Sequence, residues 1–332
     1  MKTKNRSNLF KLPQIALALS TATAMAGTDD MKAPAPAPAA TTPDWLKVSG
    51  YAAAAYTYDD SKGETFLDGG PESDVAKVGF LATQGALSSY TSLFYTPGFT
   101  SGGHEAGILD AYASYQTGEF TITAGKYLSY LGYEAFDAAN MTQITYANTL
   151  GAIPAYHSGA KLDYATDTFG AGVNVSDSIK GGKGFWTGDR DFGNGLGYEG
   201  YVTYKGIQSL TLWAGVGFED VQEGPDFSTY DFWASYDLSD KLTIAGEVAY
   251  NDNGPVTGVQ GLAFLKYAFT KQFSTVLRFG TDQFDTGGID TYKYTLAPTY
   301  AFTDYFLIRA ELTATDAADN STFSGVQALL KF

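Results

Sequence analysis

Cysteine is absent from the 332 residues, which removes disulfide frameworks, thiolate metal centres and cysteine nucleophiles together. Histidine occurs twice, as His104 and His157. Neither has a nucleophile in a recognisable arrangement nearby, so histidine-dependent hydrolysis and histidine-rich metal sites are poorly served. Basic residues are scarce: 21 Lys and Arg stand against 36 Asp and Glu, the reverse of what nucleic-acid binding requires. Beyond residue 26 no apolar run approaches the roughly twenty residues of a membrane-spanning helix. The glycines of Gly193–Gly200 have a nucleotide-like spacing but lead into a strand pattern, so the phosphate cradle fails. The segment Asp177–Asn194 mixes acids, amides and glycines without the alternate ligands of a calcium loop. No cofactor and no metal is called for.

What the chain does have begins with its first residues. Lys2, Lys4, Arg6 and Lys11 precede a mostly apolar stretch from Leu12 to Met25, and Ala24-Met25-Ala26 has the small-x-small form of a cleavage site. Residues 1–26 therefore read as an export signal, and residues 27–43, with their APAPAP core, as an extended linker. The signal holds four of the basic residues and no acid, leaving 17 against 36 and a formal charge of −19. With 24 Tyr, 22 Phe and 38 Gly but no long apolar run, residues 44–332 suit a β-rich protein that is secreted or set in an outer membrane.

From Leu46 onward the chain divides into segments of about ten residues with period-two alternation. Tyr230, Phe232, Ala234, Tyr236 and Leu238 alternate with Asp231, Trp233, Ser235 and Asp237. Leu242, Ile244, Gly246, Val248 and Tyr250 alternate with Thr243, Ala245, Glu247 and Ala249. Phe273, Leu277 and Phe279 alternate with Val276, Arg278 and Gly280, and Phe306, Ile308 and Leu312 with Leu307, Arg309 and Glu311. In each, the charges share one parity and the other face is apolar, with aromatic residues near its ends. That is the pattern of a wall whose outside meets lipid and whose inside meets water. In Phe120–Tyr127 one residue misfits: Lys126 shares the parity of Phe120, Ile122 and Ala124. A bulge at Gly125 would re-aim it, or it lies beyond the hydrocarbon band and snorkels.

Short and long connections alternate. Tight turns are expected near Gln84–Ala86, Gln116–Glu119, Ala165–Thr168, Lys205–Gln208, Ser239–Lys241, Thr270–Lys271 and Thr303–Asp304. Longer links fall at Asp59–Ser73, Pro97–Glu105, Leu128–Tyr156, Asp177–Gly195, Glu219–Phe227, Asn251–Gly258, Asp282–Ile289 and Asp316–Ser321. This asymmetry, with about sixteen strands, predicts an all-β, up-and-down antiparallel transmembrane barrel with short periplasmic turns. A barrel of that width encloses an aqueous channel. The alternating stretch Thr322–Phe332 closes on an aromatic residue, which resembles the signal that barrel-assembly machinery reads.

The stretches AGKYLSYLGYEAFD (Ala124–Asp137), PAYHSGAKLDY (Pro154–Tyr164), LRFGTDQFD (Leu277–Asp285), LIRAEL (Leu307–Leu312) and VSGY (Val48–Tyr51) are similar to the β-barrel porin-2, or OmpL-like, family. Gly125-Lys126 and Gly132-Tyr133-Glu134 are the most specific of these, and the resemblance covers most of residues 44–332. It implies an outer-membrane barrel of porin type, with lipid around it and small hydrophilic solutes as permeants.

The longest link, Leu128–Tyr156, follows the fifth expected strand. In sixteen-stranded diffusion porins the loop at that position folds inward and narrows the pore; by the same analogy such barrels associate as homotrimers. Here the loop carries Glu134 and Asp137, then a stretch that can hold a helical turn. The expected constriction sets these acids against wall bases Arg278 and Arg309, with Glu311 two residues from Arg309, creating a transverse field. The reading is a passive, weakly charge-selective channel, with cation preference suggested by the acidic excess. Its rivals are a non-conducting barrel acting as surface receptor or envelope structure, a secreted soluble β-sandwich, and, below both, an outer-membrane hydrolase.

Overall fold

The computed structural model describes residues 43–66, 74–97, 104–147, 156–179, 195–221 and 226–332. The expected signal, residues 1–26, and all of the linker but Pro43 lie outside these, as do Gly193 and most of Asp177–Asn194.

Alternation folds the chain into strands. In order these are β1 (Leu46–Asp59), β2 (Gly63–Phe66), β3 (Val75–Gln84), β4 (Leu87–Pro97), β5 (His104–Thr117), β6 (Phe120–Leu128), β7 (Tyr156–Ala165), β8 (Phe169–Ser176) and β9 (Gly195–Ile207). They continue with β10 (Leu210–Val221), β11 (Phe227–Ser239), β12 (Leu242–Asp252), β13 (Thr257–Ala268), β14 (Phe273–Thr286), β15 (Thr291–Ala301), β16 (Phe306–Asp316) and β17 (Ser321–Lys331). Every expected tight turn joins two consecutive strands. Among the described residues no helix is long and apolar enough to cross a membrane.

All strands belong to one antiparallel sheet that closes on itself. The seam is β1. On one edge it pairs with β17, from Tyr51 opposite Lys331 to Asp59 opposite Phe323. On its other edge the lower half pairs with β3, from Leu46 opposite Ala82 to Ala53 opposite Val75. The upper end of that edge pairs with β2, from Tyr56 opposite Phe66 to Asp59 opposite Gly63. Sixteen long strands thus circle the barrel and β2 is an addition. The stretch expected as one open link, Asp59–Ser73, contains this hairpin, because Asp59 receives the N–H groups of Ser61 and Lys62 and Gly63 takes φ 91° to reverse the chain. Full closure removes the exposed edges that a strand array otherwise carries, and a single closed sheet is not the two-layer sandwich of the soluble alternative.

The two faces differ as the parity predicts. Val173, Val202, Val248, Leu277, Leu296 and Leu312 point outward and are exposed, with Tyr198, Tyr204, Tyr230 and Tyr294 on the same face. Glu199, Asp231, Glu247, Arg278, Arg309 and Glu311 point inward and are buried. On β6, Thr123 and Tyr127 are buried on the inner face while Lys126 stays on the outer one. The bulge considered at Gly125 is not there: β6 keeps its register with both neighbours. Lys126 instead reaches the carbonyl of Ile108, near the end of its strand. The register shift lies one strand pair away, between β4 and β5, where the ladder slips between Thr91 and Leu93.

Candidate functional site

Nineteen described residues of the connection from β6 to β7, 129–147, cross to the inner wall of the barrel. They form no sheet and only one tight turn, in which the N–H groups of Asn140 and Met141 both approach the Asp137 carbonyl. A buried backbone without regular structure must find hydrogen-bond partners elsewhere. Here the wall supplies them as charged side chains.

Carboxylates take the N–H groups. Glu199 on β9 accepts from Tyr130 at 3.2 Å and from the Ser129 hydroxyl at 2.5 Å. Asp231 on β11 accepts from Gly132 at 2.9 Å, and Glu247 on β12 from Tyr133 at 2.6 Å. Glu311 on β16 accepts from Ile144 at 2.5 Å and Thr145 at 3.1 Å, and also from the Thr145 hydroxyl. Cations take the carbonyls. Arg278 on β14 donates to Thr145 O at 2.5 Å, and Arg309 on β16 to Gln143 O and Ala138 O at 2.8 and 3.0 Å. Lys331 on β17 reaches Ala139 O at 2.6 Å and Lys293 on β15 reaches Tyr146 O at 3.3 Å. Hydrogen bonds with one charged partner are each worth about 1.5–3 kcal/mol, so the loop is held by a distributed set of strong ties.

Two ion pairs add side-chain anchors. Arg278 meets Glu134 at 2.6 Å with both side chains nearly buried. Lys77 on β3 lies 2.9 Å from Asp110 and 3.1 Å from Asp137, and the Tyr51 hydroxyl also donates to Asp137 at 3.1 Å. Apolar packing completes the fastening: Leu131, Ala138, Met141, Ile144 and Ala147 are buried. Gly280 makes this possible on β14, since a Cβ there would come within 2.8 Å of Ala147.

Aromatic rings brace the start of the loop. Tyr201, Trp213 and Trp233, on β9, β10 and β11, stack with interplanar angles of 13° and 8°. Tyr130 and Tyr133 of the loop close the two ends of this row, at 4.6 and 5.4 Å between ring centroids. The Tyr130 hydroxyl donates to Asp163 at 2.7 Å. Burial first, and then that carboxylate, push its phenol well above the ordinary range, so it stays a protonated donor.

The five residues expected at a constriction thus come together, in a different arrangement. Glu134 touches Arg278 directly. Asp137 pairs with Lys77, not with an arginine, and Arg309 binds carbonyls. Glu311 binds main-chain amides and lies 4.0 Å from Arg278. The expected opposition of charges across a gap is replaced by contact, because each charge is satisfied by the loop itself. Sequence reasoning missed Lys77, Glu199, Asp231, Glu247 and Lys331 as anchors. Their inward parity was visible, but all save Lys77 bind backbone groups of the loop, and Lys77 meets Asp137 from 60 residues away in sequence.

His157 is fully buried, its Nε2 at 3.4 Å from Glu199 and 3.3 Å from Asn174. Ser129 also binds Glu199, so the carboxylate sits between hydroxyl and imidazole, the reverse of a triad's serine–imidazole–carboxylate order. His104, expected in an external loop, instead opens β5. Among the described residues no group of His, Asp and Glu is placed to hold a metal ion.

Solved structures with similar architecture are outer-membrane proteins. OprB of Pseudomonas putida aligns with TM-score 0.66 at 11% identity, covering 86% of this chain and 94% of that one. OmpT of Vibrio cholerae aligns at 0.62 and 14% identity, covering 88% and 99%. The anion-selective porin from Comamonas acidovorans aligns at 0.62 and 14%, covering 86% and 99%. At such identities these establish the fold alone. No curated protein matches the chain. The sequence profile of the family described as "Putative beta-barrel porin-2, OmpL-like" matches residues 45–328. The chain therefore belongs to the β-barrel porin-2, OmpL-like family.

Proposed function

We propose that the protein is an outer-membrane porin, a passive and weakly charge-selective channel for small hydrophilic solutes. The observation that carries this is the pairing of a sixteen-strand wall, apolar outside and charged inside, with a loop fastened to that inner wall by its own backbone. Permeation through such a passage is set by its width and by lining charge, with no bond made or broken. Glu134, Asp137, Arg278, Arg309 and Glu311 then define the constriction by fixing the loop's position. Export through a cleaved signal at residues 1–26, insertion by barrel-assembly machinery acting on the strand that ends at Phe332, and homotrimeric association belong to the same reading.

Reconstitution into planar bilayers tests it. The chain should give discrete conductance steps, and deleting residues 134–150 should enlarge them. Equal conductance with and without the loop would remove it from the permeation path.

One observation favours a second reading. The loop's ties fall on β1, β3, β9, β11, β12, β14, β15, β16 and β17, most of the circumference. A loop tied so widely suits a sealed barrel with a receptor or envelope-structural role. Absence of conductance in the intact chain, with conductance after the deletion, would select this alternative.

A further inference from the structure

The charged groups of the inner wall differ between the level of the loop and the end that carries the short turns. Those at the level of the loop are committed. Glu199, Asp231, Glu247 and Glu311 each accept loop N–H groups, Glu134 pairs with Arg278, and Asp110 and Asp137 share Lys77. Toward the short turns the wall carries lysines without such partners. Lys47 on β1 lies four residues below Tyr51, which binds the loop. Lys205 on β9 lies four residues beyond Tyr201, and both Tyr201 and Asp231 pair with Gly215. Lys266 on β13 lies four residues beyond Leu262, which pairs with Glu247. Lys331, by contrast, stands opposite Tyr51 and reaches the loop at Ala139 O. At about 3.3 Å per residue, Lys47, Lys205 and Lys266 form a ring about 13 Å beneath the loop.

Their charges are open to solvent. Lys47 and Lys205 are exposed and Lys266 is partly so. Among the described residues none of the three has a carboxylate within the 4.0 Å of an ion pair. Lys161 adds a further cation, held 4.9 Å from the rings of Tyr127 and Tyr130. The wall acids nearest this region are Asp163, which accepts from the Tyr130 and Tyr201 hydroxyls, and Asp237, which accepts from Thr243, with Glu119, Asp167, Asp240 and Asp304 in the short turns beyond.

We infer that this ring makes the passage beneath the loop an anion-selecting segment, for small inorganic anions and carboxylates, in a chain whose net charge is strongly negative. The inference rests on the channel reading above and gives the sign of its selectivity, opposite to what composition suggests. The physical reason is screening. With a Debye length of about 8 Å at physiological salt, a permeant in a narrow lumen responds to the charges lining its path. Acids at the outer mouths and those locked against the loop contribute little there.

Reversal potentials under a KCl gradient test it. The wild-type channel should pass chloride in preference to potassium. The triple variant Lys47→Glu, Lys205→Glu, Lys266→Glu should invert the ratio while conductance steps persist. Lys62→Glu, in the β1–β2 turn at the opposite end, should leave the ratio unchanged. A wild-type preference for potassium overturns the inference, as does a Lys62 variant that shifts the ratio as much as a single lumen substitution. The wild-type reading decides the matter even where the triple variant fails to fold. Loss of all conductance in the wild type would instead sink the channel reading.

Discussion

Arg278 and Glu311 hold the same residue, Thr145, from two sides. The guanidinium takes its carbonyl and hydroxyl oxygens, and the carboxylate takes its N–H and hydroxyl. The two charged groups lie 4.0 Å apart with Thr145 bound to both. A loop residue clasped in this way cannot move without breaking several charge-assisted bonds at once.

Arg278→Ala should therefore release the loop at its centre. It leaves Glu134 buried without its cation, a loss of about 3–5 kcal/mol from loop docking. Single-channel recordings should show larger and noisier steps, while heat-modifiable migration on gels reports an intact barrel. Arg278→Lys should fall between, since an ammonium cannot reproduce the guanidinium fork.

Gly280→Val separates loop docking from wall stability. A β-branched residue suits a strand interior, so resistance of the barrel to urea should not fall. Its side chain, however, occupies the space of Ala147, and the loop must lift from β14. A conductance change with unchanged unfolding midpoint is the expected result.

Leu277→Arg tests the outer face. Leu277 is 51% exposed and pairs with Leu265 and Leu296, in the interior of the sheet on β14. In a bilayer such a substitution should cost about 2–4 kcal/mol, as for arginine at the midplane of a transmembrane barrel. Urea unfolding from lipid vesicles measures it. A change of only a few tenths would mean that this face meets water.

Much of the wall was legible because period two is written residue by residue. Asp231, Glu247, Arg278, Arg309 and Glu311 all carried their inward direction in their parity. The closure of β1 on β17 and the tight turns followed from the same rhythm. What was not legible has physical causes. β2 spans only four residues, too few to show a period. Lys126 broke parity without any bulge because its ammonium finds a neighbouring carbonyl. The anchors of the loop were hidden because Arg309 and Ala138 stand 171 residues apart in sequence, and a main-chain amide has no letter of its own.

Because Glu199, Asp231, Glu247 and Glu311 grip amides, and Arg309 and Lys331 grip carbonyls, many of the fastenings ignore which side chains the loop carries. Ala135 and Asn140 can be rewritten while those clasps stay shut. The barrel thus behaves as a socket for an interchangeable insert, and its permeation properties can be retuned one letter at a time without rebuilding the cylinder.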